Sequence, residues 1–270
     1  MAARKSNQGK LQNDKIFGAF KKGVIGALES ELVDKSRKGN LDAPIADLVQ
    51  LLNAADDYVT TSSCSGRICL FQQIKKPADS STKAAGGGWL LIEHSLVDLS
   101  QVLQALSSHG FSSPLFSLPS STTTDTTATF SNTSSSPSSS SDSTDTIPIE
   151  GSKDSLSNAV HNNSMTWLRH EPFILHIACR SAEAGQKLYQ IARDAGYRES
   201  GLSLGRRKIM LAIRTTSLSL AAPIAIDDQI LCSKEHLAVL VQECCQLFEQ
   251  NSRMISKFES LLRQFLSSPQ

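Results

Sequence analysis

Apolar positions along the chain follow helical spacing in three stretches. Residues 16–32 predict a helix that begins after Asp14 and ends near Lys38. A second helix is predicted after Pro44, and a long one after Ser233 keeps a single apolar stripe. At about 1.5 Å per residue the long helix would reach roughly 45 Å, more than one small sheet needs. We therefore expect it to pack along the whole domain, with self-association through its stripe as the alternative.

Shorter apolar runs between these helices predict β-strands. The runs are 67–73, 89–94, 172–180, 197–204, 208–215 and 218–226, with further helices predicted after Asp98 and Ser181. The first two runs would form a hairpin with a long connection, and Pro223 in the last run suits an edge strand. This order of elements predicts a single α+β domain around a mixed or antiparallel sheet, with flanking helices and no Rossmann fold.

The strand predicted at 172–180 has two different faces. Side chains alternate along a strand, so Phe173, Leu175, Ile177 and Cys179 point to one side, and His176, Ala178 and Arg180 to the other. We expect the first side to be buried and the second to carry function.

A tract rich in serine and threonine divides the chain. Of the 35 residues from 112 to 146, 23 are Ser or Thr, a composition that cannot form a packed core. We predict a disordered insertion over residues 112–165, between a first part of the domain at 1–111 and a second part at 166–270. Residues 112–152 contain four acidic residues and no Lys or Arg, so the rest of the chain is mildly basic.

Composition predicts a cytoplasmic protein without a membrane span. Hydrophobic residues make up 40% of the chain, but no window approaches about 18 consecutive apolar residues. The basic start of the chain lacks the apolar segment of a secretory signal. The six cysteines show no framework spacing, which suits free thiols in a reducing compartment.

The most unusual stretch is Tyr58–Leu70, where four consecutive hydroxyl residues precede Cys64, Ser65, Gly66 and Arg67. Such side chains favour neither a helix nor an ordinary alternating strand. Gly66 allows a sharp turn, and Arg67 supplies a forked cationic donor. The combination predicts a loop for an anion or polar ligand, and the alternative is a polar turn that leads into a strand.

Several classes of site are disfavoured. The chain has no G-x-G-x-x-G after a strand, no phosphate-loop motif and no C-x-x-C pair. Cys64, His94, His176 and Cys179 could suggest zinc, but the last two point to opposite strand faces, so we predict no metal. Cys64 could instead be the nucleophile of a cysteine-dependent hydrolase, with a pKa lowered by Arg67, or a small buried residue in a turn.

Five segments, in this order, resemble the tRNA wybutosine-synthesizing protein 3 family. They are Thr60–Ile68, Gly88–His94, Glu171–Arg180, Gly196–Leu202 and Met210–Thr215. The resemblance implies methylation, with S-adenosylmethionine, of N4 of 7-aminocarboxypropyl-demethylwyosine at position 37 of phenylalanine tRNA, without a Rossmann core. It also implies contact with other enzymes of the wybutosine pathway. A non-catalytic RNA-binding or scaffold protein of the same pathway is the alternative. The Ser/Thr-rich tract departs from the compact members of the family.

The resemblance also assigns roles to residues of the matching segments. His176 is our first candidate for the general base that removes the acceptor proton, and His94 the second. The donor would be held by Ser62, Ser63, Cys64, Ser65, Gly66, Ser200 and Gly201. For the loop from Ser62 to Arg67, a tRNA phosphate is the alternative ligand. The anticodon stem-loop would be gripped by Arg67, Arg180, Arg214 and the turn residues Arg206 and Arg207. We expect the serine-rich loop, both imidazoles and the guanidinium groups of Arg67, Arg180 and Arg214 to share one concave wall.

Overall fold

The computed structural model describes residues 2–29, 41–74, 86–112, 164–205 and 208–268, with the backbone alone at 2–13 and 29. The α-helices are α1 (Ala2–Glu29), α2 (Ala46–Ala54, after a 3₁₀ turn at Ala43–Ile45), α3 (Leu99–Ser108), α4 (Ala182–Ala195) and α5 (Lys234–Ser267). The strands are β1 (Tyr58–Cys64), β2 (Arg67–Ile74), β3 (Gly86–Glu93), β4 (Ser164–Glu171), β5 (Ile174–Cys179), β6 (Gly201–Leu204), β7 (Ile209–Arg214), β8 (Leu220–Ile226) and β9 (Gln229–Ile230).

The strands form two sheets in which every pair of neighbours is antiparallel. The order is β1-β5-β7-β6 in the four-stranded sheet and β3-β2-β4-β8-β9 in the five-stranded sheet. The predicted α+β class without a Rossmann fold is confirmed, and the single expected sheet is in fact two. The chain passes from one sheet to the other at Ser65–Gly66, at Pro172–Phe173 and, between β7 and β8, at 215–219; the first two crossings contact α5. Gly66 has φ +99, a left-handed conformation that glycine adopts at little cost.

The long helix α5 explains how two sheets form one domain. Its first half, with Leu237, Val241 and Cys244, packs into a core with β2, β4, β8 and α3. Its second half, with Ile255 and Phe258, joins α2, α4, β5 and β7 in a second core. The expected packing along the whole domain is therefore confirmed, because 34 residues span about 51 Å and reach both cores. The outer faces of both sheets consequently lie on the same side of the molecule, away from α5.

The predicted two faces of β5 are confirmed. Phe173, Leu175, Ile177 and Cys179 belong to the buried core on the inner side. On the outer side, Ala178 packs with Val59 beneath Phe17 of α1. Helix α1 thus covers one end of the outer face, and the opposite end holds the candidate site.

Several boundaries differ from the sequence predictions. The hydroxyl-rich stretch 58–64 is strand β1, with a register shift between Thr60 and Ser62 that accommodates its irregular pattern. Strand β4 was missed, and it begins within the predicted insertion, because pairing with β2 compensates for its polar residues. At the two ends of the predicted insertion, Ser112 bridges to Gln229, and Ser164 and Met165 lie in β4. Residues 113–163 of that tract, and the predicted end of the first helix near Lys38, lie outside the described residues.

Two further local predictions need correction. Strand β8 is not an edge strand, since β9 pairs with its outer side, and Pro223 sits at a register shift opposite Trp167. The predicted strand at 197–204 begins only at Gly201, because Tyr197 is buried in the core after the end of α4. All six cysteines are free thiols, as predicted. No helix in the described part of the chain combines the length and apolarity needed to cross a membrane.

Candidate functional site

A cavity of about 280 Å³ opens where the two sheets meet. Its wall is formed by Cys64, Arg67, Glu171, Pro172, Phe173, Ile174, Arg214, Thr215 and Ser219. Cys64, Ile174 and Arg214 are neighbours across β1, β5 and β7, and Arg67 pairs with Glu171 across β2 and β4. All three chain crossings between the sheets border this cavity, so segments from both sides of the Ser/Thr-rich tract build it.

The cavity wall carries more positive than negative charge. Arg67 Nε and Nη2 lie 2.7 Å and 2.6 Å from Glu171 Oε2. Arg214 is exposed, and its Nε donates to the carbonyl oxygen of Glu199 at 3.2 Å. Two guanidinium groups therefore face one carboxylate, an arrangement that suits an anionic group such as a carboxylate or phosphate.

The outer face of the four-stranded sheet extends from the cavity as an open polar surface. Ser62, His176, Ala212 and Gly201 form one row across the four strands. Ser62 Oγ lies 2.9 Å from His176 Nδ1. This row is two residues, about 7 Å, from the cavity row on the same strands. A Cβ added at Gly201 would meet no atom within 4 Å, so the surface beside the imidazole is open.

A second imidazole lies in a polar cluster beside Cys64 of the cavity wall. His94 Nδ1 is 3.3 Å from Asp42 Oδ2 and 3.4 Å from Ser65 Oγ. The same carboxylate oxygen accepts hydrogen bonds from Ser65 N, at 2.8 Å, and from Ser65 Oγ, at 3.1 Å. Asp42 and His94 are largely shielded, with side chains 9% and 14% exposed. A carboxylate that orients an imidazole in this way favours proton transfer at the other ring nitrogen.

The cluster also raises the question of a metal ion, because ligand atoms of Asp42, Cys64 and His94 lie within 4.8 Å of one another. Burial raises the pKa of the Cys64 thiol despite its proximity to Arg67, whereas metal binding requires the thiolate. Asp42 Oδ2 is already engaged by Ser65. These residues therefore fit an acid–base cluster better than a metal centre. The raised pKa is also opposite to the lowered value predicted for a Cys64 nucleophile.

A buried asparagine of α5 fixes the first two crossings beside each other. Asn251 Nδ2 donates to the Ser65 carbonyl at 2.8 Å, and Asn251 Oδ1 accepts from the Phe173 N–H at 2.8 Å. The side chain is fully buried. A Cβ at Gly66 would come within 2.7 Å of Asn251 Nδ2, so the close approach requires glycine. Asn251 thereby sets the position of the Cys64–Arg67 segment.

The predicted wall of three arginines forms only in part. Arg67 and Arg214 both line the cavity, but Arg180 lies at the other end of β5, roughly 20 Å away along the strand. There Arg180 pairs with Asp57 at 3.2 Å and donates to the carbonyl oxygen of Asp56 at 2.9 Å. The convergence of all three was wrong because the strand separates its two ends. Arg206 and Arg207 lie outside the described residues.

Two predicted donor-binding residues point away from the cavity. Ser63 pairs with the buried Leu175 and faces the inner side of the sheet. Ser200 is buried, and its Oγ accepts a hydrogen bond from the Arg214 backbone N–H at 3.3 Å. Ser200 thus supports the end of β7.

Comparison with known proteins gives the family. The family described as Methyltransferase TYW3 matches residues 19–264, almost all of the chain. The chain belongs to the TYW3 methyltransferase family. The predicted resemblance is thus confirmed, and this TYW3-family chain is an enzyme that transfers a methyl group.

Named relatives and solved structures agree with this assignment. The tRNA wybutosine-synthesizing protein 3 of Schizosaccharomyces pombe is 30% identical over 93% of this chain and 89% of its own length. The mouse homolog, from Mus musculus, is 30% identical over 86% of this chain and 69% of its own length. The PH1069 protein from Pyrococcus horikoshii has the same fold, with a TM-score of 0.63, 22% identity and coverage of 92% of this chain and 97% of its own.

Sequence reasoning missed three residues of this TYW3-family site. Glu171 was inside a recognised segment, but its partner Arg67 is 104 residues away. Asp42 stands directly before the predicted second helix, where it looks like a helix cap. Asn251 interrupts the apolar stripe of α5, and a polar residue at a core position is a signal that could have been followed.

Proposed function

We propose that this TYW3-family methyltransferase transfers the methyl group of S-adenosylmethionine to N4 of 7-aminocarboxypropyl-demethylwyosine at position 37 of phenylalanine tRNA. The family supplies the reaction class, and the relatives are named for tRNA wybutosine synthesis. The observation that carries the proposal is the cavity where the two sheets meet. Its wall contains Arg67, Glu171 and Arg214, one from each of three recognised segments.

The charges of the cavity fit the amino-acid end of the proposed donor. Arg214 and Arg67 offer guanidinium groups for its carboxylate, and Glu171 offers a carboxylate for its ammonium group. When bound, S-adenosylmethionine supplies a methyl group on a positively charged sulfur, which an aligned nitrogen displaces in line. The open row of Ser62, His176 and Gly201 lies beside this cavity and is our proposed place for the rest of the donor. The acceptor base would enter the cavity at Cys64, which lies next to His94.

We assign the general base to His94 in preference to His176. Asp42 accepts at the Nδ1 side of His94, which orients the ring and leaves Nε2 for a proton. His176 instead contacts the neutral hydroxyl of Ser62, a partner that positions the ring without stabilising a charge on it. In this assignment His176 and Ser62 position the bound donor. Arg214 contacts the tRNA backbone or the donor, and the turn residues Arg206 and Arg207 contact the anticodon stem.

The test is methyl transfer from labelled S-adenosylmethionine to precursor phenylalanine tRNA that carries the unmethylated base. We expect product from the purified chain and a fall in kcat of about 100-fold or more for His94→Gln. Asp42→Asn should change kcat in the same direction, and His176→Gln should mainly raise KM. If the purified chain bound the tRNA but did not methylate it, the chain would be a non-catalytic RNA-binding scaffold. A larger loss of kcat for His176→Gln than for His94→Gln would return the base to His176.

A further inference from the structure

A continuous series of planar side chains crosses the outer face of the five-stranded sheet. The Arg67 guanidinium carbon lies 4.4 Å from the Trp89 ring centre, and Trp89 and Phe71 are 4.7 Å apart. The Arg169 guanidinium carbon follows at 5.2 Å from Phe71 and 5.5 Å from Trp167. We call these five residues the arginine–aromatic series.

The series arises from strand register. Arg67, Cys69 and Phe71 share one side of β2; on β4, Arg169 pairs with Cys69 and Trp167 with Phe71. Trp89 comes opposite Phe71 from β3. The intervening residues Ile68, Leu70 and Leu168 point inward to the core that α3 and α5 cover. The series therefore occupies the outer side of the sheet, where all five side chains are half-buried against one another.

The series is continuous with the proposed active site. Arg67 is at once its first member and part of the cavity wall. A nucleotide chain whose reacting base lies at the cavity would therefore bring neighbouring nucleotides over Trp89 and Phe71. The exposed parts of these rings and guanidinium planes are available for stacking with bases.

We propose that the arginine–aromatic series is a stacking surface for unpaired bases of single-stranded RNA. Within the proposed function, that RNA is the tRNA loop that carries the reacting base, and the inference rests on that function for the identity of the RNA. Stacking on aromatic rings and guanidinium planes is a recurrent way to hold splayed RNA bases on a β-sheet. Two guanidinium groups against the single carboxylate of Glu171 favour an RNA strand over an acidic or neutral surface.

Arg169 distinguishes this surface from a purely structural cluster. Arg67 is paired with the carboxylate of Glu171. Within the described residues, the guanidinium group of Arg169 instead contacts the rings of Phe71 and Trp167. A cation held between two rings keeps its charge for a phosphate while its plane stays oriented.

Intrinsic fluorescence offers a direct test, because Trp89 and Trp167 are the two tryptophans of the chain. The full-length protein is titrated with a synthetic anticodon stem-loop RNA and with a fully paired RNA duplex of the same length. We expect saturable quenching by the stem-loop and little by the duplex. Trp167→Ala should weaken stem-loop binding about 5- to 150-fold, the equivalent of one lost stacked base. Trp167→Phe should retain most of the affinity.

The matched control is Tyr189→Ala, which removes another ring beside an arginine. Tyr189 lies 5.8 Å from the Arg193 guanidinium carbon on α4, far from the outer face of the five-stranded sheet. The affinity of the Tyr189→Ala variant for the stem-loop should equal that of the wild type. Circular dichroism and thermal unfolding verify that each variant is folded.

Any of four outcomes would overturn the proposal. The first is unchanged affinity for both Trp167→Ala and Arg169→Ala in folded protein. The second is RNA binding without any change in tryptophan fluorescence. The third is a wild-type dimer that Trp167→Ala converts to monomer without loss of RNA affinity, which would make the surface a self-association site. Methyl transfer with unaltered KM in Trp167→Ala would reject stacking and leave the proposed reaction intact. If the stem-loop quenched the fluorescence of the wild type but the wild type transferred no methyl group, stacking would be supported and the proposed reaction rejected.

Discussion

Replacement of Asn251 by alanine tests how the first two chain crossings are held at the cavity. The side chain is fully buried and makes one hydrogen bond to each crossing, to the Ser65 carbonyl and from the Phe173 N–H. The alanine variant leaves both backbone groups buried without a partner. Each unsatisfied group costs about 1–3 kcal/mol, so we expect the free energy of unfolding to fall by about 2–6 kcal/mol.

The same substitution should impair catalysis beyond its effect on stability. Ser65 also donates to Asp42, and Cys64 and Arg67 on either side of the crossing line the cavity. We therefore expect a lower kcat at temperatures where the variant is still folded, since small displacements of positioning groups reduce rates strongly.

The stability assay is urea unfolding followed by circular dichroism. Methyl transfer is measured separately, at a temperature 15 °C lower than the midpoint of thermal unfolding, and that midpoint comes from its own thermal scan. Gln250→Ala, at the exposed neighbouring position of the same helix, is the control and should change the unfolding free energy by less than about 0.5 kcal/mol. The reasoning is refuted if Asn251→Ala loses no more stability than Gln250→Ala.

Three further predictions follow from particular side chains. Gly66→Ala should destabilise the fold by more than about 1 kcal/mol, because φ is +99 and the new Cβ meets Asn251; Gly88→Ala, whose Cβ meets open space, is the control in the same unfolding assay. Cys64→Ser should retain methyl transfer within a few-fold, because burial raises the pKa of the thiol and keeps it protonated; a folded variant with a 100-fold loss would restore a thiolate role. Burial lowers the pKa of His170 below its ordinary value of 6.5, so the unfolded chain binds the extra proton first and stability should fall as pH drops below about 6.5. Urea unfolding at pH 7 and 5.5 should show a shallower decline for His170→Gln, and an unchanged decline would contradict this.

Local pattern was enough for the elements whose character is set by their own residues. The two faces of β5 follow from alternation of side chains along a strand, and the predicted inner face is the buried one. The start of α5 at Ser233 is equally local, because the serine hydroxyl accepts from His236 N at 3.2 Å as an N-cap. Strand β4 was not predicted, because its short alternation of polar and apolar residues forms a strand only through pairing with β2 and β8.

The residues of the candidate site likewise divide into those that the local sequence predicted and those that depend on tertiary contacts. Motif residues in the sequence pointed to Cys64, His94, His176 and Arg67, and each lies at or beside the cavity or in the adjoining cluster and row. The sequence could not show that Arg180 sits at the far end of its strand from the cavity. That outcome depends on strand length and on which residues the crossings bring together.

The sequence by itself therefore determined the fold class, the family and the buried face of β5, because side-chain direction is a property of a few neighbouring residues. Tertiary structure alone decided the partners: Asp42 with His94, Glu171 with Arg67, and Asn251 with the first two crossings. These contacts join residues up to 186 positions apart in the chain. Their geometry is fixed by the packing of two sheets against one long helix, and no local pattern of residues encodes that register.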